Sequence, residues 1–219
     1  MRMAASTILF AAIGIPGFAG TIYTNGPETG MNAFVIGGIY SISDGFVATD
    51  SGTAASFDFG FADPTGATPV SVTWALGTTP FASDISQGTS LVTSVYLFTV
   101  LGAEDYFDAT VQGVSGTFVA GNTYYLTLSN ATDSVGYTVD GWQINGGPAT
   151  CYGGQNGVNL GPCGPIIGSE SFTISGTTIP EPSTVTLLGG GLLAMAGFVR
   201  QKSRRIAQAH ALARLPSCL

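Results

Sequence analysis

Basic side chains are absent from the middle of this 219-residue chain: no lysine, arginine or histidine lies between Gly20 and Ile179. Twelve of the 13 acidic residues do lie there, so twelve carboxylates and no cation give the segment a formal charge of −12. Nucleic acid is excluded as a partner, because binding phosphates requires a basic surface. The segment also cannot form an internal Lys or Arg salt bridge. Its stability must come from apolar burial, backbone hydrogen bonds and any covalent or metal staple.

These absences also remove most catalytic chemistry from the segment. Without histidine, a serine or cysteine nucleophile has no imidazole base and zinc has no imidazole ligand. Without lysine, neither a Schiff base nor a phosphate-binding Gly-Lys-Ser/Thr motif can form. The one histidine, His210, lies outside the segment. Hydrolysis of glycosides by paired carboxylates needs neither residue, so a glycosidase stays open as the less favoured alternative to a protein that is not an enzyme.

The N-terminal residues have the pattern of a secretory signal peptide. Met1-Arg2 is followed by an uncharged, largely apolar stretch over residues 3–15. Gly17-Phe18-Ala19 then supplies small residues at the two positions that a signal peptidase recognises. The sequence therefore predicts a signal helix within residues 1–19 and an exported chain that begins at Gly20.

The C-terminal region combines three features in a fixed order. Pro180-Glu181-Pro182 comes first, and a largely apolar stretch without charge follows over residues 183–199. A basic cluster comes next, formed by Arg200, Lys202, Arg204 and Arg205. Proline is unfavourable inside a helix, so a helix is expected to begin after Pro182. Its 17 residues are at the lower limit for crossing a hydrocarbon core of about 30 Å. The pattern predicts a transmembrane helix with its basic end in the cytoplasm.

This order of features resembles the PEP-CTERM sorting signal of bacterial surface proteins over residues 180–205. The resemblance implies a Gram-negative host that makes exopolysaccharide, and an exosortase-type protease that cuts near Pro180-Glu181-Pro182 and removes the helix. The membrane would then be a transient anchor. We expect an intermediate in the inner membrane and a final location at the cell surface or outside the cell. Residues 206–219 extend beyond the signal as a cytoplasmic tail. The alternative is an ordinary anchor helix that is never cut.

Period-two alternation predicts that the exported segment is made of β-strands. Apolar and polar residues alternate at 57–61, 70–76, 126–128 and 171–174, which is typical of strands with one buried face. Further runs rich in Val, Thr, Tyr and Phe lie at 92–100, 106–111, 117–120 and 135–144, separated by Gly, Asn, Asp or Pro. We therefore predict an all-β domain over residues 20–179, an antiparallel two-sheet β-sandwich of jelly-roll-like form.

Cysteine is scarce. Cys151 and Cys163 are the only two cysteines between Gly20 and Ile179, and they enclose a segment rich in glycine and asparagine. In an exported protein such a pair predicts a disulfide that staples a loop. A zinc site is the alternative, but the segment offers no third or fourth soft ligand.

Aromatic residues near this loop are candidates for ligand binding, because flat rings stack on sugars. The candidates are Tyr124, Tyr125, Tyr137, Trp142 and Tyr152. We select Tyr137, Trp142 and Tyr152 as the binding residues. The alternative is that these rings belong to the core of the sandwich, as aromatic residues commonly do.

Calcium is the one cofactor that the acidic residues suggest, and we otherwise predict none. Glu104, Asp105 and Asp108 lie close together at a predicted strand junction, where their oxygens could bind the ion. Four more acidic residues are expected in turns of the earlier region, Asp44, Asp50, Asp58 and Asp63. The alternative is a solvated acidic loop that binds no metal.

Together these features predict an exported surface or extracellular-matrix protein with a non-catalytic structural or adhesive role. A carbohydrate-binding module for exopolysaccharide, with or without calcium, is the first alternative. A glycosidase is the second.

Overall fold

The computed structural model describes residues 18–27, 29–30, 32–100, 104–136, 140–145, 150–164, 169–179, 189–193 and 195. The chain divides into two compact units, Met1–Ile179 and Pro180–Leu219. In the second unit the described residues are helical. No helix among the described residues is long and apolar enough to cross a membrane. The predicted signal helix and most of the predicted transmembrane helix lie outside the described residues.

The first unit contains 13 described strands. They are β1 (Phe18–Thr24), β2 (Ala33–Val35), β3 (Tyr40–Val47), β4 (Gly52–Pro64), β5 (Pro69–Gly77), β6 (Ser86–Leu91), β7 (Thr93–Val100), β8 (Glu104–Phe118), β9 (Thr123–Asp133), β10 (Gly141–Gln143), β11 (Cys151–Gln155), β12 (Val158–Pro162) and β13 (Phe172–Thr178).

These strands form two antiparallel sheets. The six-stranded sheet has the order β12-β11-β3-β9-β5-β6. The seven-stranded sheet is organised around β4, which pairs with β8 along one side and with β13 and β10 along the other. The other three strands, β7, β1 and β2, pair with β8, β13 and β10 respectively. The predicted all-β sandwich of two antiparallel sheets is confirmed.

The alternating pattern of β4 explains where the core lies. Phe57, Phe59 and Phe61 point to the same face of the strand and are fully buried. On the opposing sheet, Trp74 meets Phe57 edge to face with ring centroids 6.1 Å apart. Leu126 is buried on the same sheet. Each such side chain contributes about 1.5–3 kcal/mol by leaving water, so the domain can be stable without a salt bridge.

The structure differs from the sequence-based expectation at the cysteine-bounded segment. Residues 151–162 form a β-hairpin of β11 and β12 rather than an irregular loop. The turn is Asn156-Gly157, and both residues have positive φ, 51° and 76°. Asn-Gly favours this conformation because glycine has no Cβ and asparagine tolerates the left-handed region. The hairpin adds two strands to the edge of the six-stranded sheet.

The first strand overlaps the predicted signal-peptide boundary. β1 begins at Phe18, and Phe18 and Ala19 pair with Thr178 and Thr177 of β13. Cleavage after Ala19 would leave the pairing from Gly20 onward in place.

Candidate functional site

A cleft of about 630 Å³ opens where the ends of four strands meet. The final residues of β1 and β3 and the first residues of β9 and β11 form most of its wall. The lining residues are Tyr23, Asn25, Gly45, Phe46, Val47, Thr123, Tyr125, Thr150, Tyr152 and Ser169. The cleft therefore combines aromatic rings with hydroxyl and amide groups.

Two tyrosines reach the cleft because of their register in the six-stranded sheet. Tyr125 of β9 pairs with Gly45 of β3, and Tyr152 of β11 pairs with Ser43 of β3. Gly45 and Ser43 are two residues apart, so both tyrosines lie on the same face of the sheet. Their ring centroids are 6.1 Å apart and the ring planes meet at 68°. Both side chains are half-buried, which leaves part of each ring open to a ligand.

Two phenol groups of the cleft, those of Tyr23 and Tyr125, stay protonated at neutral pH. Burial, and after it the charge of Asp44, raises the pKa of Tyr23 to about 12. Burial also raises the pKa of Tyr125, with Tyr152 adding to the effect. The cleft therefore presents neutral hydroxyl groups that can both donate and accept hydrogen bonds.

Asp44 of β3 is fully buried and fixes two of the hydroxyl groups that line the cleft. Its Oδ1 accepts a hydrogen bond from Thr150 Oγ1 at 2.6 Å, and its Oδ2 accepts one from Ser169 Oγ at 2.5 Å. The backbone N–H of Glu170 donates to the same Oδ2 at 3.0 Å. Burial raises the pKa of Asp44 above its ordinary value, and these hydrogen bonds, which favour the carboxylate, offset only part of that rise.

Glu170 lies beside Asp44 and is also fully buried. Among the described residues, none donates a hydrogen bond to its carboxyl oxygens. Burial, followed by the charge of Asp44, raises the pKa of Glu170 well above its ordinary value of 4.5. A neutral carboxylic acid next to a carboxylate is the expected state of this pair.

The predicted disulfide between Cys151 and Cys163 is present, with Cα atoms 5.6 Å apart. Cys163 N also donates a hydrogen bond to Cys151 O at 3.0 Å. The disulfide joins the two ends of the β11–β12 hairpin, and Cys151 is the residue next to Tyr152. One carboxyl oxygen of Glu170 lies within 4.8 Å of both sulfur atoms. Because the sulfurs are joined to each other, this group is not a metal site.

A second group of acidic residues lies elsewhere in the sandwich. Asp63, Asp133 and Asp140 are buried, and each places a carboxylate oxygen within 4.8 Å of the others. Burial raises the pKa of Asp63 to about 8, and Asp140 is the next largest cause. Burial also raises the pKa of Asp140. The structure therefore concentrates three carboxyl groups where water does not screen them.

The predicted ligand-binding aromatics have different placements. Tyr152 lines the cleft. Trp142 is fully buried, and its Nε1 donates to Ser171 O at 2.9 Å, so the structure places it in the core. Tyr137 lies outside the described residues.

Tyr125, which was a candidate in the sequence but not one of the three selected residues, also lines the cleft. Its neighbour Tyr124 faces the core. Adjacent residues of a strand point to opposite faces, so the sequence could have predicted that one of these two tyrosines faces outward.

The structure does not bring the predicted calcium trio together. Asp105 lies between Glu104 and Asp108 in β8, so strand alternation turns it to the opposite face. Tyr106 Oη donates to Glu104 Oε2 at 2.8 Å. Asp105 accepts hydrogen bonds from Thr99 Oγ1 at 2.5 Å and Gly66 N at 2.8 Å, which lower its pKa. Of the four acidic residues expected in turns, Asp44, Asp58 and Asp63 instead lie in strands.

The predicted sorting residues lie outside the described residues, and a sequence comparison bears on them directly. Residues 178–204 match the family described as PEP-CTERM protein-sorting motif. The match covers Pro180, Glu181 and Pro182 and extends through Arg200, Lys202 and Arg204. Comparison with curated proteins and with solved structures finds no match. The chain therefore carries the PEP-CTERM protein-sorting motif, which indicates a protein that is exported and sorted through an exosortase by way of a membrane-anchored intermediate.

Proposed function

We propose that the β-sandwich is a non-catalytic adhesive module that binds extracellular polysaccharide at the cleft lined by Tyr125 and Tyr152. The observation that carries this proposal is the pair of half-buried rings beside several hydroxyl groups in one cleft. Aromatic faces cover the apolar faces of sugar rings, and the hydroxyl groups exchange hydrogen bonds with the sugar. The module would attach the exported protein to the polysaccharide outside the cell.

The charge of the domain favours a neutral polysaccharide. Residues 20–179 hold 12 carboxylates and no basic side chain, so an anionic polymer meets repulsion rather than an ion pair. The cleft itself is lined by tyrosines, hydroxyl groups, one amide and apolar side chains. Neutral hexose polymers match this lining.

At the cleft lined by Tyr125 and Tyr152, the position of the acidic residues favours binding over hydrolysis. A glycosidase places two carboxyl groups on either side of the scissile bond, about 5–10 Å apart and open to the substrate. Asp44 and Glu170 both lie below the cleft and are fully buried, and neither lines it. A bound sugar would contact the hydroxyl groups that Asp44 orients rather than the carboxylates themselves.

Binding of the full-length chain in detergent to neutral and acidic exopolysaccharide fractions tests the proposal. We expect retardation of the protein by neutral polysaccharide in affinity electrophoresis. Tyr125→Ala and Tyr152→Ala should each weaken binding about tenfold or more, since an aromatic contact contributes about 1 kcal/mol beyond its area. The matched control is Tyr96→Ala, which removes a 55% exposed ring on β7, away from the cleft.

Three results would contradict the proposal. One is retention by acidic polymers alone, and another is equal loss in all three variants. Release of reducing sugar by the wild-type chain would contradict the non-catalytic role.

A further inference from the structure

Three aspartates that are distant in the sequence meet between the two sheets. Asp63 is the penultimate residue of β4, and Asp140 immediately precedes β10, which pairs with that part of β4. Asp133 is the last residue of β9 in the other sheet. One oxygen from each carboxylate lies within 4.8 Å of the other two. The group therefore connects the seven-stranded sheet to the six-stranded one.

The burial of this group is nearly complete. The exposed fractions are 1% for Asp63, 7% for Asp133 and 0% for Asp140. Neither carboxyl oxygen of Asp63 or of Asp140 accepts a hydrogen bond from any donor among the described residues. Buried carboxylates are ordinarily paired with a cation or with hydrogen-bond donors. Two side chains in this group have neither within the described part of the chain.

The exported segment, residues 20–179, cannot itself supply the missing cation. Residues 20–179 contain no lysine, arginine or histidine. Asp133 is held in place because its Oδ1 accepts hydrogen bonds from the N–H groups of Val135 at 2.8 Å and Gly136 at 2.5 Å. A fixed carboxylate beside two others presents a concentrated negative charge inside the protein. A cation from solution is the natural counterpart.

We infer that Asp63, Asp133 and Asp140 bind one calcium ion, which joins the two sheets of the sandwich. Calcium binds carboxylate oxygens at about 2.3–2.6 Å, so two ligand oxygens on opposite sides of the ion are about 4.8 Å apart. The spacing of the three carboxylates fits within that limit. This site is distinct from the cleft lined by Tyr125 and Tyr152, because none of the three aspartates lines that cleft.

The ligand chemistry favours calcium over other divalent ions. Zinc prefers nitrogen and sulfur ligands, yet residues 20–179 have no histidine and their two cysteines form the disulfide. Magnesium keeps several of its waters and demands an octahedral site, which a buried group of three carboxylates does not readily provide. Extracellular modules bind calcium with dissociation constants of about 10⁻⁴–10⁻³ M. The site would therefore fill after export, where calcium is more abundant than in the cytoplasm.

The competing arrangement is a proton shared between Asp63 and Asp140, with no metal bound. Thermal unfolding of the full-length chain in detergent separates the two arrangements. Melting temperatures are measured in EDTA, in calcium chloride and in magnesium chloride at matched ionic strength. Calcium at about 20 times its dissociation constant should raise the melting temperature by about 4–7 °C. Magnesium should raise it less, and a shared proton would respond to neither ion.

Variants locate the site. Asp63→Asn and Asp140→Asn each remove one charge without changing the shape of the side chain, and each should abolish the calcium-dependent rise. In EDTA both variants should melt at or above the wild-type temperature, because they relieve repulsion, and this shows that they are folded. Asp50→Asn is the matched control, since Asp50 is exposed and lies outside the group. It should keep the full calcium-dependent rise.

Terbium luminescence of the wild-type chain provides a readout that depends on no variant. We expect one terbium ion per chain, displaced by calcium. The inference is overturned if calcium leaves the wild-type melting temperature unchanged at matched ionic strength. It is also overturned if Asp63→Asn and Asp140→Asn keep the rise, or if terbium does not bind.

Discussion

The ring of Tyr125 lies across the backbone of Gly45, and a Cβ atom at Gly45 would come within 2.9 Å of Tyr125 Cε1. Real Cβ atoms are essentially never this close to another heavy atom, so any side chain at position 45 must displace the ring. The same Cβ would lie 3.4 Å from Thr150 O, which accepts a hydrogen bond from Gly45 N. The orientation of one wall of the cleft therefore depends on a glycine in the neighbouring strand.

Gly45→Ala should weaken polysaccharide binding without unfolding the domain. The half-buried ring of Tyr125 can rotate away from the new methyl group, so we expect a stability cost of about 1 kcal/mol, at the low end for an overpacked site. Loss of the ring from the cleft should reduce affinity about tenfold. Gly153→Ala is the matched control, because a Cβ there meets no atom within 4 Å and the residue lies beside Tyr152. Affinity electrophoresis and thermal unfolding measure the two effects, and equal binding by both variants would argue against this role of Tyr125.

The disulfide offers a second test of how the cleft is built. Free-thiol labelling of the denatured, unreduced exported chain should detect no thiol at Cys151 or Cys163. Replacing both residues with serine should lower the free energy of unfolding by up to about 3 kcal/mol, the chain-entropy value for a loop of this size. The fold should persist, because Cys151 is a small member of a core cluster whose large side chains, among them the phenylalanines of β4, stay in place. Polysaccharide binding should weaken as well, since Tyr152 adjoins the bridge. Stoichiometric labelling of both cysteines would refute the pairing.

The sandwich could be predicted from the sequence because alternation is a local property. Residues 57–61 alternate within one strand, and the structure places their three phenylalanines in the core.

Strand ends were harder to predict. The expected strands at 106–111 and 117–120 form one strand, β8 (Glu104–Phe118), because Gly113 adopts a positive φ of 75° without ending the strand. The Asn156-Gly157 turn was a recognisable hairpin signal. We expected a loop because of the glycine-rich composition around it.

The two candidate sites could not be predicted in full, because strand register forms them. Tyr125 and Tyr152 lie in different strands, and they share a face only because each pairs with β3 at positions of the same parity. Asp63 and Asp133 are 70 residues apart and belong to different sheets. Proximity in sequence pointed instead to Glu104, Asp105 and Asp108, but strand alternation turns Asp105 away from the other two. Composition indicated that acidic residues lack basic partners, but only the fold shows which of them meet.

The buried pair Asp44 and Glu170 predicts an unusual pH dependence of stability. The folded-state pKa of Glu170 is raised above its unfolded value near 4.5 by burial and by Asp44. Between those two pKa values the folded chain binds more protons than the unfolded chain, so stability falls as pH rises through this window. At a pH above both pKa values, each unit of difference between them lowers the free energy of unfolding by about 1.4 kcal/mol. The wild-type chain should therefore be less stable at pH 8 than at pH 5.

Glu170→Gln should remove the contribution of this residue. The amide stays neutral at every pH and can donate a hydrogen bond to Asp44, so the variant should be more stable than the wild type at pH 8. The difference should shrink as pH approaches 4.5. Denaturant unfolding from pH 4.5 to 8 in EDTA measures it, and Asp50→Asn serves as an exposed control. The other buried groups, Asp44, Asp63 and Asp140, are present in both chains. A variant less stable than the wild type at pH 8 would show that Glu170 is ionised and stabilised in the fold.

The sorting motif predicts two forms of the protein in its host. The family match spans residues 178–204, and the apolar stretch within it is 17 residues long, at the lower limit for a stable span. Such a segment suits a temporary anchor. Intact-mass measurement should find a membrane form that retains residues 183–219 and an exported form that lacks them.

With Pro180-Glu181-Pro182 changed to three alanines, only the membrane form should be found, because the recognition sequence is lost while the apolar stretch remains. Ser217→Ala, outside the match, should be processed like the wild type. An exported wild-type protein that retains the tail would contradict cleavage and indicate a permanent anchor.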